Sequence, residues 1–149
     1  MSAAEARVLV IENNDALRVV LFTVLRHQPL GVDTATNADD AIEKVNKCDY
    51  ALILLDMNLP DGESEEFLRR FRETRPEATS FILAVRDPRV ELTIEPSQMN
   101  AIVNKPLEID TLAEVVRECA LVVEPPADPL PCPPADSDRL SGMDDTLPN

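Results

Sequence analysis

Short apolar runs alternate along the first 123 residues with segments whose apolar side chains recur every three or four positions. Unbroken apolar runs are typical of strands buried on both faces, whereas the wider spacing predicts helices with one apolar side. The first such pair is the run at residues 8–11 and the segment 17–25 that follows it. Alternation of this kind predicts strand–helix repeats that build a parallel sheet.

The same pattern predicts five strands and the helices that connect them. The run at residues 50–55 is the strongest, so this strand is predicted to lie at the centre of the sheet. Asp15 is a candidate cap for the first helix. Asn37 or Ala38 opens the second helix, and Ser64 begins the third. The predicted strands are residues 8–11, 32–35, 50–55, 80–85 and 101–103, and the last helix is residues 107–122.

The segment between the fourth and fifth predicted strands, residues 86–100, has a weak helical pattern. Pro88 and Pro96 leave about two helical turns between them, and β-branched residues occupy part of those turns. A helix at this place is predicted to be short and irregular. The predicted fold class is therefore α/β: a doubly wound, five-stranded parallel sheet with helices on both faces, right-handed crossovers and an irregular fourth helix.

The composition changes after residue 123. Seven of the 26 residues from 124 to 149 are Pro, six are acidic and one is basic. Such a segment buries too little apolar surface to offset its chain entropy, so we expect a disordered, acidic, Pro-rich tail after a domain at residues 1–123. Pro126 and Pro129 form a PxxP match, so the tail is either a docking segment or tether, or simply a solvated extension.

The net charge of the chain limits the kinds of molecule that it is expected to bind. The chain carries 28 acidic against 14 basic residues, a formal net charge of −14, which disfavours direct binding to nucleic acid or to anionic membranes. No apolar run approaches the roughly 20 residues of a membrane span, and we expect a cytoplasmic protein.

The chain has three cysteines, which are an odd number and are widely spaced: Cys48, Cys119 and Cys132. This pattern predicts reduced thiols rather than a disulfide framework or a zinc site.

Polar residues follow three of the predicted strands at the point where each strand ends. Glu12 and Asn13 follow the first strand, Asp56 the third and Lys105 the fifth. Ligands bind open parallel sheets at the carboxyl ends of the strands. Carboxylates, an amide and a carbonyl from the loop after Asp56 are the hard oxygen ligands of Mg²⁺. Asp56 is then placed to attack phosphorus with Lys105 as a point charge, unless it only caps a turn or pairs with Lys105.

Three segments carry a family resemblance: residues 8–18 with the acidic strand end, residues 54–62 around Asp56, and residues 104–107 around Lys105. Together they resemble the response-regulator receiver domain of bacterial two-component signalling. The resemblance implies a flavodoxin-like fold and phosphorylation of Asp56 by a histidine kinase or phosphotransferase. It also implies Mg²⁺ held by Asp56, residue 13 and the carbonyl of Asn58, and a cis peptide before Pro106.

The sequence departs from the family pattern at three functional positions. Asn13 stands where the family usually has Asp, so we expect weaker Mg²⁺ binding through Glu12, Asn13 and Asp56. Ala84 aligns with the usual Ser or Thr, whose hydroxyl follows the phosphoryl oxygens. Ile102 aligns with the aromatic residue that normally turns inward behind that hydroxyl. The usual hydroxyl-and-aromatic switch is therefore absent.

Two mechanisms are consistent with these residues. In the first, a single-domain response regulator accepts a phosphoryl group on Asp56 and signals through contacts with a downstream regulator protein. In the second, the domain is a pseudo-receiver, an adaptor that binds its partner regardless of phosphate. An aspartate-nucleophile phosphohydrolase is disfavoured because its second Asp is replaced by Asn58. We therefore expect no enzymatic activity beyond self-phosphorylation and dephosphorylation at Asp56.

Overall fold

A computed structural model of the protein describes residues 6–138, which form one five-stranded sheet with helices on both faces. All strand pairs are parallel, and their order is β2-β1-β3-β4-β5. The predicted fold class is confirmed, with the third strand at the centre. The strands are Ala6–Ile11 (β1), Leu30–Ala35 (β2), Leu52–Asp56 (β3), Phe81–Arg86 (β4) and Ala101–Asn104 (β5). The helices are Asp15–Leu25 (α1), Ala38–Val45 (α2), Glu63–Thr74 (α3) and Ile109–Val122 (α4).

Side chains alternate along the strands between two separate apolar layers. Leu9 and Ile53 face α2 and α3, whereas Val8 and Leu54 face α1 and α4. Each inner strand is buried on both faces, which is why its sequence is an unbroken apolar run. Apolar side chains fill both layers, and the polar side chains of the candidate site lie where the strands end. No helix among residues 6–138 has both the length and the apolar character needed to cross a bilayer.

The starts of the first two helices are set by asparagine side chains. The side chain of Asn14, and not that of Asp15 as predicted, accepts the capping hydrogen bond, from the amide of Leu17. Asn37 caps α2 in the same way through the amide of Asp40, so the predicted start is confirmed. Asn and Asp are comparable caps, and the local sequence therefore did not decide between residues 14 and 15.

No α-helix forms between β4 and β5. One 3₁₀ turn, Pro96–Gln98, is the regular element that the structure places in this connection. Pro88 and Pro96 each lack an amide donor, which prevents a continuous helix. Ile94 and Met99 instead insert their side chains into the layer under α2 and α3. The short helix that the sequence allowed at this place is therefore absent.

Two predictions about cysteine and the tail are wrong. Cys48 and Cys132 form a disulfide across a sequence separation of 84 residues, while Cys119 is a free thiol. Residues 124–138 are not a disordered extension, because they contact Thr79 and Asp49 near the amino ends of the strands and then reach the outer edge of β2, where Ala135 and Ser137 are buried. The remaining tail, residues 139–149, lies outside the described residues, and the division of the chain at residue 123 stays a prediction.

Candidate functional site

The sheet brings two carboxylates and one ammonium together at its carboxyl edge. Asp56 is the last residue of β3, and Glu12 directly follows β1, the neighbouring strand. Both side chains are buried, since the two residues are 4% and 3% exposed. The ammonium nitrogen of Lys105 lies 3.4 Å from Oδ1 of Asp56. The predicted convergence of residues 12, 56 and 105 is thus observed.

Glu12 is held in place through both its side chain and its backbone. The amide of Asn14 donates to its Oε2 at 3.0 Å, and the Arg18 guanidinium donates to its carbonyl at 3.1 Å. Burial, followed by a hydrogen bond and repulsion from Asp56, raises the pKa of Glu12 to about 7, although the Asn14 amide and Lys105 act in the opposite direction. Burial and the neighbouring Asp56 carboxylate therefore both oppose ionisation of Glu12.

Asp56 is positioned by the loop that follows it. The amide of Asn58 donates to Oδ1 of Asp56 at 2.9 Å, the same oxygen that Lys105 approaches. The hydroxyl of Ser64 donates to the carbonyl of Asp56 at 2.7 Å, and the amide of Leu59 donates to that hydroxyl. Ser64 lies in the first turn of α3, so it ties this helix to the end of β3.

This role of Ser64 differs from the predicted one. The sequence favours Ser64 as the start of the third helix, but α3 begins at Glu63, with Gly62 in the cap position. Gly62 has φ 71° and Asp61 has φ 59°, so the turn after β3 passes through the left-handed region twice. A glycine and an aspartate are residues that tolerate this conformation. The turn aims the Ser64 hydroxyl back at the site.

Lys105 reaches the site from the end of β5. Its backbone amide donates to the carbonyl of Arg86 at 2.8 Å, which extends the β4–β5 pairing by one residue. The peptide bond from Lys105 to Pro106 is cis, as the family resemblance implies. The side chain is 29% exposed and can therefore contact both Asp56 and solvent.

Two further predicted site residues lie at the rim. Asn13 is exposed beside Glu12. Asn58 donates its backbone amide to Asp56, while its side-chain oxygen accepts from the amide of Asp87 at 2.8 Å. Sequence reasoning proposed Asn58 for its carbonyl alone and missed this link to the connection after β4. The amide side chain itself was the available signal, because Asn commonly bonds to loop backbone.

The donors at this edge suit a hard divalent cation. Glu12 and Asp56 offer carboxylate oxygens, Asn13 an amide oxygen and Asn58 a backbone carbonyl, which are ligand types that Mg²⁺ accepts alongside water. Among residues 6–138 no group of three or more His, Cys, Asp or Glu residues is arranged to hold a metal. The amide of Asn13 in place of a carboxylate is consistent with that result.

The register of the sheet alters one alignment with the family pattern. Ala84, aligned with the switch hydroxyl, pairs with Leu55 and belongs to the layer under α2 and α3. Val85 is the register partner of Asp56. The side chain beside Asp56 on β4 is therefore that of Val85, which also lacks a hydroxyl. Ile102 on β5 is 37% exposed, so it is not packed inward behind the site.

Comparison with known proteins agrees with this fold. Residues 8–117 match the response regulator receiver domain. The chain belongs to this receiver family. Among solved structures, the CheY-like receiver domain protein from Methanospirillum hungatei JF-1 superposes with a TM-score of 0.66 at 23% identity, over 78% of this chain and 94% of that one. TrrA from Thermotoga maritima, solved in complex with Mg(2+)-BeF, gives 0.65 at 23% identity, over 76% and 98%.

The matched curated relatives are longer than this receiver domain. The transcriptional regulatory protein ResD of Bacillus subtilis is 34% identical over 79 residues, which are 53% of this chain and 32% of ResD. TrcR of Mycobacterium tuberculosis is 29% identical over 112 residues, 74% of this chain and 44% of TrcR. Each of these two matches thus covers less than half of the relative. The shared receiver domain supports a role in two-component signalling.

Proposed function

We propose that Asp56 accepts a phosphoryl group from a histidine kinase or a phosphotransferase protein. The observation that carries the proposal is the buried Asp56 carboxylate, which lies 3.4 Å from the Lys105 ammonium and beside Glu12. A carboxylate nucleophile and a positive charge beside it, at the open edge of a parallel sheet, are the parts that phosphoryl transfer to a carboxylate needs.

The residues of the site divide this work between them. A carboxylate oxygen of Asp56 attacks phosphorus in line, an O–P bond forms, and the P–N bond to the kinase histidine breaks. Asn58 holds Oδ1 through its amide and so fixes the direction of attack. Lys105 offsets the negative charge of the new acyl phosphate.

Mg²⁺ completes the proposed site. Glu12, Asn13, Asp56 and the carbonyl of Asn58 would hold it, and when bound it neutralises charge on the phosphoryl oxygens. Because an amide replaces one carboxylate, we expect this binding to be weaker than in a receiver with Asp at position 13.

The partners follow from the charge and the fold. The signal passes to a downstream regulator protein through protein–protein contacts in the cytoplasm. Direct binding of nucleic acid is not part of the proposal, because 28 acidic residues oppose 14 basic ones. In this proposal the receiver domain catalyses only the gain and loss of its own phosphoryl group.

Phosphodonor labelling tests the proposal. The full chain is incubated with Mg²⁺ and acetyl phosphate, and the intact mass is measured for the wild type, Asp56→Asn and Asp61→Asn. Asp61 is a matched control because it is an exposed aspartate in the same loop. We expect a phosphate-sized mass increase in the wild type and Asp61→Asn, and none in Asp56→Asn.

A second donor makes the negative result decisive. If neither acetyl phosphate nor a phosphorylated histidine phosphotransferase labels the wild type, and its partner still binds Asp56→Asn with unchanged affinity, phosphoryl acceptance is refuted. The chain is then a phosphorylation-independent pseudo-receiver.

A further inference from the structure

The Pro-rich segment at residues 124–138, here called the strap, crosses the amino ends of the strands and reaches the outer edge of the sheet at β2. β2 is an edge strand, and two of its outward amides are covered by the strap. The amide of Val32 donates to the Ser137 hydroxyl at 2.9 Å, and that of Thr34 donates to a carboxylate oxygen of Asp136 at 3.4 Å. The strap thus occupies an edge that is otherwise open to pairing with another strand.

The strap is held non-covalently at a few separated points. Within its length only Ala135 and Ser137 are buried. A groove of about 1080 Å³ lies between its proline residues and the amino ends of the strands. Most of its surface is therefore not packed on the domain. Its other anchors include the Thr79 hydroxyl, which donates to the Glu124 carbonyl, and the Leu130 and Asp136 amides, which donate to Asp49 and Asp33. Arg7 donates to the Pro133 carbonyl, and Asp136 forms an ion pair with Lys44.

One covalent bond joins the strap to the domain. Cys132 lies in the strap, and Cys48 follows α2. The two ends of the bond differ in access, because Cys132 is exposed whereas Cys48 is 2% exposed. The Cys132 end of the bond is therefore the end at which an incoming thiolate is expected to attack. Exchange needs access to only one sulfur of a disulfide.

We propose that the Cys48–Cys132 disulfide is a thiol–disulfide exchange site through which a dithiol reductant controls attachment of the strap to β2. A thiolate of the dithiol attacks the Cys132 sulfur, the bond between the cysteines breaks, and Cys48 leaves and takes up a proton. The second thiolate of the dithiol then attacks the mixed disulfide and releases Cys132. Two electrons and two protons pass to the protein, and the dithiol becomes a disulfide.

Loss of the bond changes what holds the strap. In the oxidised protein, Cys132 keeps Ser137 and Asp136 close to β2, which raises their effective concentration at the edge. In the reduced protein, the end of α4 is the remaining covalent link between the strap and the domain, and the hydrogen bonds to Val32 and Thr34 must hold without the disulfide. These bonds then open more often, and the two amides become accessible to solvent. This switch does not involve Asp56 and stands independently of the proposed phosphorylation.

Thiol labelling and amide hydrogen exchange of the full chain test the proposal. After denaturation, iodoacetamide is expected to add to one cysteine, Cys119, in the oxidised protein and to all three after dithiothreitol treatment. By NMR, exchange of the Val32 and Thr34 amides is expected to speed up by about tenfold or more on reduction. Exchange of the Leu54 amide, at the centre of the sheet, is expected to stay unchanged.

Two serine variants separate the bond from general effects of the reductant. Cys132→Ser is expected to exchange like the reduced wild type with or without dithiothreitol, whereas Cys119→Ser is expected to respond like the wild type. Three labelled cysteines without reductant would overturn the proposal, as would unchanged Val32 and Thr34 exchange after reduction or in Cys132→Ser. An equal rise at Leu54 would also overturn it, since the whole domain would then be opening.

Discussion

Substitution of Asn13 by Asp is the most direct probe of the proposed metal site. Asn13 adjoins Glu12 at the carboxyl end of β1 and is exposed, so an added carboxylate costs little desolvation. It would join the carboxylates of Glu12 and Asp56, which lie together below it. We expect Asn13→Asp to bind Mg²⁺ more tightly than the wild type.

The exposure of residue 13 determines how large the gain in Mg²⁺ affinity should be. Two unit charges about 4 Å apart in water interact by about 1 kcal/mol, and a dication doubles this to about 2 kcal/mol. Since each 1.4 kcal/mol changes an equilibrium constant tenfold, the dissociation constant for Mg²⁺ should fall by roughly 30-fold. A lower local dielectric constant would increase the gain.

Isothermal titration with MgCl₂ at pH 8 and fixed ionic strength measures this change. Asn14→Asp is the matched control, because it adds the same charge one residue further on, where the side chain caps α1 through the Leu17 amide. A gain of less than about threefold for Asn13→Asp, or an equal gain for Asn14→Asp, would show that residue 13 is not a ligand.

Two further predictions concern stability. In the metal-free protein, ionisation of Glu12 opposes folding because its pKa is raised to about 7, so stability should fall as the pH rises from about 4.5 through 7. Glu12→Gln should abolish this fall, and at pH 8 it should be more stable than the wild type by up to about 3 kcal/mol. Urea unfolding in the presence of EDTA measures both effects. The same pH dependence in the variant and the wild type would contradict the prediction. Arg75→Ala removes the ion-pair partner, at 2.5 Å, of the Asp49 carboxylate, whose side chain is 10% exposed, and should cost up to about 3 kcal/mol because the Leu130 amide still donates to that carboxylate. The exposed Arg69→Ala should leave the urea midpoint unchanged, and a similar shift in both variants would argue against a special role for Arg75.

The strands were predictable because burial on both faces leaves a strong local pattern. The third strand was predicted at residues 50–55 and lies at Leu52–Asp56. Tyr50 is buried, as its apolar character indicated, but its hydroxyl donates to Asp33 from a position before the strand begins. The pattern of apolar residues indicates which residues are buried, but it does not indicate which backbone groups pair in the sheet. The ends of the strands were therefore predicted less accurately than their centres.

The convergence of the site was predictable for a similar reason. Parallel strands place their carboxyl ends at one edge, so residues 12, 56 and 105 could be brought together from topology alone. The identity of the side chain next to Asp56 on β4 could not be predicted in this way, because a shift of one residue in register moves each side chain of a strand to the opposite face of the sheet. The alignment with the family pattern assigned this position to Ala84, whereas the register of the sheet assigns it to Val85.

The strap was not predictable from composition. Its few isolated apolar residues indicate that it cannot fold by its own burial. Its contacts instead pair backbone amides with carboxylates of the domain, such as Asp33 and Asp49, and one bond spans 84 residues. Contacts of this kind leave no periodic pattern in the segment itself. Counting three widely spaced cysteines likewise gave no sign that two of them would meet.

The receiver fold and the missing switch residues together limit how a phosphoryl group on Asp56 could be sensed. A two-state change needs contacts that differ between the states, and neither Val85 nor Ile102 offers a hydroxyl or an aromatic ring for this. Asn58 offers another route, because its amide binds Asp56 and its side-chain oxygen binds the amide of Asp87. Displacement of Asn58 at the site would therefore be transmitted to the connection between β4 and β5. That connection contains no α-helix, so it can follow such a displacement without breaking helical hydrogen bonds.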